Sequence, residues 1–165
     1  LDKPLSELTF GEVYPAGAGF FPNARFAQYT SAFDGGSGSQ TQFYQVMLNT
    51  GNVPAWVLWW EASCAWNTNM RQLAYDTAAA APSNYRYYIG SGSRHTMWGS
   101  DKVYTDTTGG VPTIVSWIRA MLGGTPDWTN VETTDPGLLL PGDPRPANPP
   151  TEPYDLATGR ILCDD

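Results

Sequence analysis

Lysine is scarce in this sequence, and acidic residues outnumber basic ones. Lys3 and Lys102 are the only lysines among 165 residues, and the formal net charge is −7 with an isoelectric point near 4.5. A protein that neutralises nucleic-acid phosphates or docks on anionic lipids needs a basic surface. The composition therefore argues against nucleic acid and against a membrane surface as partners.

Long apolar runs and targeting segments are also missing. No stretch approaches the roughly 20 apolar residues that cross a bilayer, and no signal peptide is recognisable. The sequence begins at Leu1 instead of Met, so we expect a mature or cleaved product. With seven Trp, nine Tyr and few charges, the composition is typical of secreted proteins. We therefore predict an extracellular location.

Metal ligands and cofactor motifs are absent as well. One histidine and two isolated cysteines do not make a zinc cluster. Asp101, Asp106 and the C-terminal Asp164 and Asp165 lack the spacing of a calcium loop. No glycine motif for phosphates or dinucleotides occurs. We expect no metal and no cofactor.

The two cysteines, Cys64 and Cys163, allow one disulfide. In an oxidising compartment we expect them to be paired, either with each other or with a segment outside this sequence. A tether to a separate segment is one form of that hypothesis. The alternative is two buried free thiols.

Two segments have the composition of buried strands. Residues 24–33 are rich in aromatics and Thr, and residues 85–91 have a similar pattern. Helical patterns separate them, and a strand reaches a parallel neighbour through such a crossover. We therefore predict an α/β fold with a mostly parallel sheet and helices on its faces.

Three helices are predicted around these strands, over residues 40–48 and 63–80 and from Val111 to Leu122. Ser63 is the candidate N-cap of the second, and Gly123 and Gly124 end the third. Residues 53–60 form either a short helix or a packed loop, because Pro54 interrupts an apolar run.

Proline-rich segments flank this central part. Their breakers predict a loop over residues 1–22 and an extended wrapping tail over residues 125–165. We accordingly divide the chain into a domain segment, residues 1–124, and a Pro-rich tail, residues 125–165.

Asp34 and His95 each follow the carboxyl end of a predicted strand, where functional groups of parallel sheets gather. A Ser-His-Asp hydrolase needs an imidazole base and a carboxylate that orients it. The spacing fits the acid and base places in the chain order of α/β hydrolases. The alternatives are a packing or surface role for His95 and a helix-capping role for Asp34.

The sequence offers no convincing nucleophile. A Gly-x-Ser-x-Gly elbow holds a reactive serine at a strand-to-helix turn. The segment around Ser37 lacks the final glycine, and the segment with Ser91 and Ser93 also fails and precedes His95 too closely. We expect the nucleophile to lie outside this sequence.

Three segments resemble the pectin acetylesterase family, which includes the Notum carboxylesterases. They are Thr-Ser-Ala-Phe-Asp at 30–34 with the Gln and Phe-Tyr that follow, Tyr-Tyr-Ile-Gly-Ser-Gly-Ser-Arg-His at 87–95, and the helix at 115–122 with Trp-Thr-Asn at 128–130. The resemblance covers residues 20–130. It implies an α/β-hydrolase fold and a Ser-Asp-His ester hydrolase, with Asp34 as the acid and His95 as the base.

The family's nucleophile and oxyanion segment lie upstream of these motifs. The resemblance therefore implies that this chain is the C-terminal part of a hydrolase and that an N-terminal segment of the same precursor is its partner. The implied substrates are esters, such as acetylated polysaccharides, lipids or polyesters.

Two further residues near His95 are candidate substrate-binding residues. Trp98 could stack on a sugar or acyl group, and its alternative role is core packing. Arg94 could orient an anionic group of a substrate or pair with a carboxylate. Trp66 and the cluster Trp56, Trp59 and Trp60 are open to the same two roles, and we favour the core for Trp66.

Two other functions remain open at this point. The chain can be a non-catalytic extracellular binding or structural subunit that keeps the hydrolase shape, which the missing nucleophile and the Pro-rich tail favour. It can also be an unrelated secreted domain rich in aromatic residues.

Overall fold

The computed structural model describes residues 3–4, 7, 10–34, 55–94, 97–98, 100–145 and 154–163. The predicted helix at 40–48 lies outside them. In chain order the elements are α1 (Phe10–Phe20), β1 (Phe26–Ser31), α2 (Ala55–Ala80), β2 (Tyr85–Gly90), α3 (Lys102–Thr105), a 3-10 turn (Thr108–Gly110), α4 (Ile114–Gly123), β3 (Val131–Glu132), β4 (Tyr154–Asp155) and β5 (Arg160–Ile161).

The central sheet is parallel and has the order β1-β2-β3. β1 and β2 pair over their whole length, from Phe26 opposite Tyr85 to Ser31 opposite Gly90. Both strands lie where the sequence predicts them, a little shorter than expected. The parallel pairing confirms the α/β class.

The two faces of the sheet carry different helices. Tyr88 and Ile89 are neighbours in β2, so their side chains point to opposite faces. Tyr88 packs in a cluster with Trp117 of α4, and Ile89 packs in another with Ala74 of α2. Helices therefore cover both faces, as expected for a parallel sheet.

A third strand lies where the sequence predicts only a tail. β3 pairs with β2 through Val131 opposite Tyr88, and Thr133 N–H donates to Ile89 O at 2.9 Å. The indole of Trp117 donates to Thr129 O at 2.8 Å and holds the approach to this strand against α4. A two-residue strand is too short to show an alternating pattern, so the sequence conceals it.

Helix α2 begins at Ala55. Of the two alternatives for residues 53–60, a helix or a packed loop, the structure therefore has a helix from Ala55 onward. Ser63 lies inside this helix and is buried, so its prediction as an N-cap is wrong. Pro54 precedes the helix in the sequence and so does not interrupt it. None of the described helices, including this one, is both long and apolar enough to cross a bilayer.

Helix α1 corrects the predicted loop at residues 1–22. It runs through Pro15, although a proline inside a helix costs about 3 kcal/mol. Tertiary packing offsets this cost: Ala18 is buried, the rings of Tyr14 and Tyr85 lie 5.6 Å apart, and Asn84 Nδ2 donates to Ala18 O at 3.0 Å.

Helix α4 begins at Ile114, later than the predicted start at Val111, and ends at Gly123. Thr113 caps its start, and Thr113 Oγ1 accepts the N–H of Ser116 at 3.2 Å. Gly124 ends it in the left-handed conformation with φ of 64°. The predicted Gly123 and Gly124 stop is confirmed.

Cys64 and Cys163 form a disulfide with each other, with a Cα–Cα distance of 5.5 Å. This confirms the predicted pairing and leaves neither cysteine to tether a separate segment. The bond joins α2 to the end of the chain, where Ile161 is buried and its N–H donates to Gly137 O at 2.9 Å.

Candidate functional site

The ends of β1 and β2 leave the sheet side by side. Beyond the paired strands, Ala32 N–H donates to Gly90 O at 2.7 Å and Phe33 N–H donates to Gly92 O at 2.9 Å. Asp34, which is half-buried, follows immediately. The segment after β1 therefore runs along the segment after β2 at the carboxyl edge of the sheet.

The hydroxyl of Ser31 joins these two segments. Ser31 is buried, and its Oγ lies 2.6 Å from Phe33 O and within hydrogen-bond distance of Arg94 O. Its single proton is shared between the two carbonyls. These carbonyls belong to the residues that precede Asp34 and His95 in the chain. His95 itself lies outside the described residues.

Arg94 forms ion pairs with two carboxylates. It is only 8% exposed, its Nε donates to Asp143 Oδ1, and its Nη1 lies 3.7 Å from Asp106 Oδ2. Nη1 also lies 3.0 Å from Met97 Sδ. The alternative of pairing with a carboxylate is thus realised. Nη2 is buried without a hydrogen-bond partner among the described residues, and a contact with substrate stays a prediction for Arg94.

Asp143 completes this arrangement and was missed by sequence reasoning. Its side chain is 0% exposed, and its Oδ2 accepts the N–H of Leu140 at 2.8 Å and that of Ser93 at 3.4 Å. The only signal around it is Pro-Gly-Asp-Pro, which indicates a turn. Nothing in that signal connects it to Arg94, 49 residues earlier.

Lys102 lies at the edge of the same cluster. Its Nζ donates to Pro141 O and lies 3.9 Å from Asp143 Oδ1. Burial and the positive charge of Arg94 lower the pKa of Lys102, while Asp143 and Asp106 oppose the change. Two cations and two anions thus balance each other. The described residues include no group of three or more His, Cys, Asp and Glu that could hold a metal.

The close contact between Asp143 and the backbone after β2 requires a glycine at position 92. The φ of Gly92 is 88°, a conformation that favours glycine. A Cβ atom at this position would lie 2.1 Å from Asp143 Oδ2, which is far inside van der Waals contact. The carboxylate therefore lies directly against the backbone after β2.

The two serines near His95 are held by other partners. Ser91 Oγ lies 2.6 Å from Thr133 Oγ1, and Ser93 Oγ donates to Pro144 O at 2.7 Å. Both residues are buried. Neither hydroxyl is presented as a nucleophile, and Ser37 lies outside the described residues.

The tryptophan predictions have different outcomes. Trp98 is 72% exposed, so core packing is not its role, and a contact with substrate stays a prediction. Trp66 is half-buried. The side chains of Trp56, Trp59 and Trp60 lie outside the described part of the structure.

No protein-family model matches this chain, and no curated protein or solved structure is significantly similar to it. The link to the pectin acetylesterases therefore depends on the three short segments that resemble that family.

Proposed function

We propose that this chain supplies the acid and the base of a secreted serine-type carboxylic ester hydrolase. One observation carries the proposal: the carbonyls that precede Asp34 and His95 converge on the hydroxyl of Ser31 at the carboxyl edge of the parallel sheet. Two residues that leave adjacent strands in this way can bring a carboxylate and an imidazole together.

The roles follow from the chemistry of ester cleavage. His95 takes the proton of a serine hydroxyl as that oxygen attacks the ester carbonyl, and then gives the proton to the leaving alcohol. Water attacks the acyl-enzyme in the second half, with His95 again the base. Asp34 holds the imidazole in the required tautomer and stabilises the imidazolium.

The serine comes from another segment of the same precursor in this proposal. Ser91 and Ser93 are bound to internal partners, and the resemblance implies a nucleophile upstream. The sheet itself gives no reason for a partner, because it has three strands and helices on both faces. The reason for a partner segment is the missing nucleophile.

The proposed setting is extracellular, and the proposed substrates are esters such as acetylated polysaccharides. A disulfide is compatible with an oxidising compartment. The exposed ring of Trp98 offers a flat surface on which a sugar ring can stack.

The test measures ester hydrolysis by the native material, which is the native protein purified with every chain that remains bound to it. With p-nitrophenyl acetate as substrate, His95→Ala and Asp34→Asn should each lower kcat, by about 10⁴-fold for the latter. Asp127→Asn, the same change at an exposed carboxylate, should leave kcat unaltered. Wild-type rates in His95→Ala would refute the assignment.

A non-catalytic extracellular binding or structural subunit is the second candidate. It is favoured by the internal contacts of Ser91, Ser93 and Arg94, because these contacts give the three residues a structural role that needs no catalysis. Intact-mass analysis of the native material separates the two functions. A bound chain with a Gly-x-Ser-x-Gly elbow supports the hydrolase, and its absence supports the subunit.

A further inference from the structure

We propose that Asp143 is a positioning residue for the base: it fixes the backbone from which His95 leaves the end of β2. The inference rests on the proposed function, because it assigns His95 the role of base. Asp143 contacts no reacting group in this account and acts through Arg94 and Ser93.

The charge of Asp143 is what organises the contacts. A carboxylate that is fully removed from solvent is stable only when paired and hydrogen-bonded. Arg94 Nε, Ser93 N–H and Leu140 N–H all donate to it. A carboxylate accepts three such donors, whereas an amide in the same place would direct an NH₂ group at one of them.

Arg94 is held from two directions as a result. Its side chain is bound to Asp143, and its carbonyl oxygen accepts a hydrogen bond from Ser31 at the end of β1. The residue directly before His95 is therefore fixed both to the strand that leads to Asp34 and to the segment after Leu140. Gly92 lets the carboxylate approach closely enough for this.

Fixing this point matters because proton transfer depends on geometry. A displacement of about 1 Å in a catalytic group can cost about 10²-fold in rate. Asp143 lies in the Pro-rich part of the sequence, so this inference gives that part a role in positioning the proposed catalytic pair.

The single histidine allows a direct test that does not need activity. In the full chain, the imidazole signals in a proton–carbon NMR spectrum report His95 alone. In Asp143→Asn these signals should shift and broaden, and the amide protons of Ser93 and Leu140 should exchange faster. Asp127→Asn is the matched control and should leave all of them in place.

Activity gives the second readout. In the native material, Asp143→Asn should lower kcat for p-nitrophenyl acetate about 10²-fold with KM within about twofold, because the base is displaced while substrate binding is kept. If Asp143→Asn does not fold, Arg94→Lys serves instead, since it keeps the charge but loses the planar donor geometry.

The outcomes separate this inference from the proposed function. Unaltered His95 signals in a folded Asp143→Asn protein, or in Arg94→Lys if that is the variant used, would overturn the positioning role. Native material without esterase activity would overturn the proposed function, while the NMR result would still decide whether Asp143 positions His95.

Discussion

At the scale of single residues, the molecule depends on a close contact between a backbone and a buried charge. Gly92 has positive φ, and the carboxylate of Asp143 occupies the space where a side chain at this position would be. Gly110 has a similar φ of 79° but no atom within 4 Å of the place of a Cβ. The two glycines differ in their surroundings and share a backbone conformation that would strain any residue with a Cβ atom.

This difference gives a prediction for alanine substitutions. Gly110→Ala should lower the free energy of unfolding by about 1 kcal/mol, which is the strain of a left-handed alanine. Gly92→Ala should cost about 3 kcal/mol or more, because it adds a clash with Asp143 to the same strain. Urea denaturation measures both. Equal losses in the two variants would show that the contact with Asp143 is unimportant.

The sequence could predict which residues lie at the ends of the strands. It could not predict which distant residues they contact. Asp34 and Arg94 follow β1 and β2, and pairing of those strands brings their segments together. The partner of Arg94 could not be predicted, because Asp143 is 49 residues away in a turn without periodicity. Such contacts depend on the tertiary path of the chain, which local patterns do not encode.

At the scale of elements, β2 is joined to the start of α4 by a partly buried hydrogen bond. The hydroxyl of Tyr88 donates to Pro112 O at 2.6 Å. Its ring packs against Trp117, and the two ring centroids lie 5.5 Å apart. Pro112 precedes the N-cap of α4, so the bond fixes where that helix begins relative to the sheet.

Removal of this hydroxyl should destabilise the protein measurably. Tyr88→Phe keeps the ring and should lower the free energy of unfolding by about 1 kcal/mol, because a partly buried hydrogen bond is lost. Tyr104→Phe makes the same change on an exposed ring and should have no effect. Chemical denaturation compares the two. A Tyr88→Phe protein as stable as the wild type would contradict the importance of this bond.

Elements with strong local signals were predicted well, and elements that depend on packing were not. The glycines at 123 and 124 located the end of α4, whereas its start was predicted at Val111 and lies at Ile114. α1 contains Pro15, and tertiary contacts such as those with Tyr85 and Asn84 make a helix favourable there. β3 has two residues and exists because it extends β2.

At the scale of the whole molecule, buried tyrosines make folding sensitive to alkaline pH. Burial raises the pKa of Tyr29, Tyr85 and Tyr88 well above the ordinary value of 10, and for Tyr29 the charge of Arg94 only partly opposes this. The folded state therefore keeps protons that the unfolded state releases at about pH 10. Stability should be unaffected by these groups below that pH and should fall as the pH rises above it.

Absorbance of tyrosinate and the urea midpoint, followed together from neutral to alkaline pH, test this prediction. Part of the tyrosine signal should appear only as the protein unfolds. Tyr29→Phe should lose stability less steeply with pH, because one late-ionising group is removed. Ionisation of all nine tyrosines near pH 10 in a protein that stays folded would contradict it.

The central proposal also belongs to the scale of the whole molecule. We propose that this chain holds an acid and a base and that their nucleophile lies on another segment. The most direct measurement is labelling of the native material with a serine-directed fluorophosphonate, followed by mass spectrometry of each chain. The account predicts one labelled serine, outside these 165 residues, and loss of labelling in His95→Ala. A label on a serine of this chain, or no label at all, would contradict it.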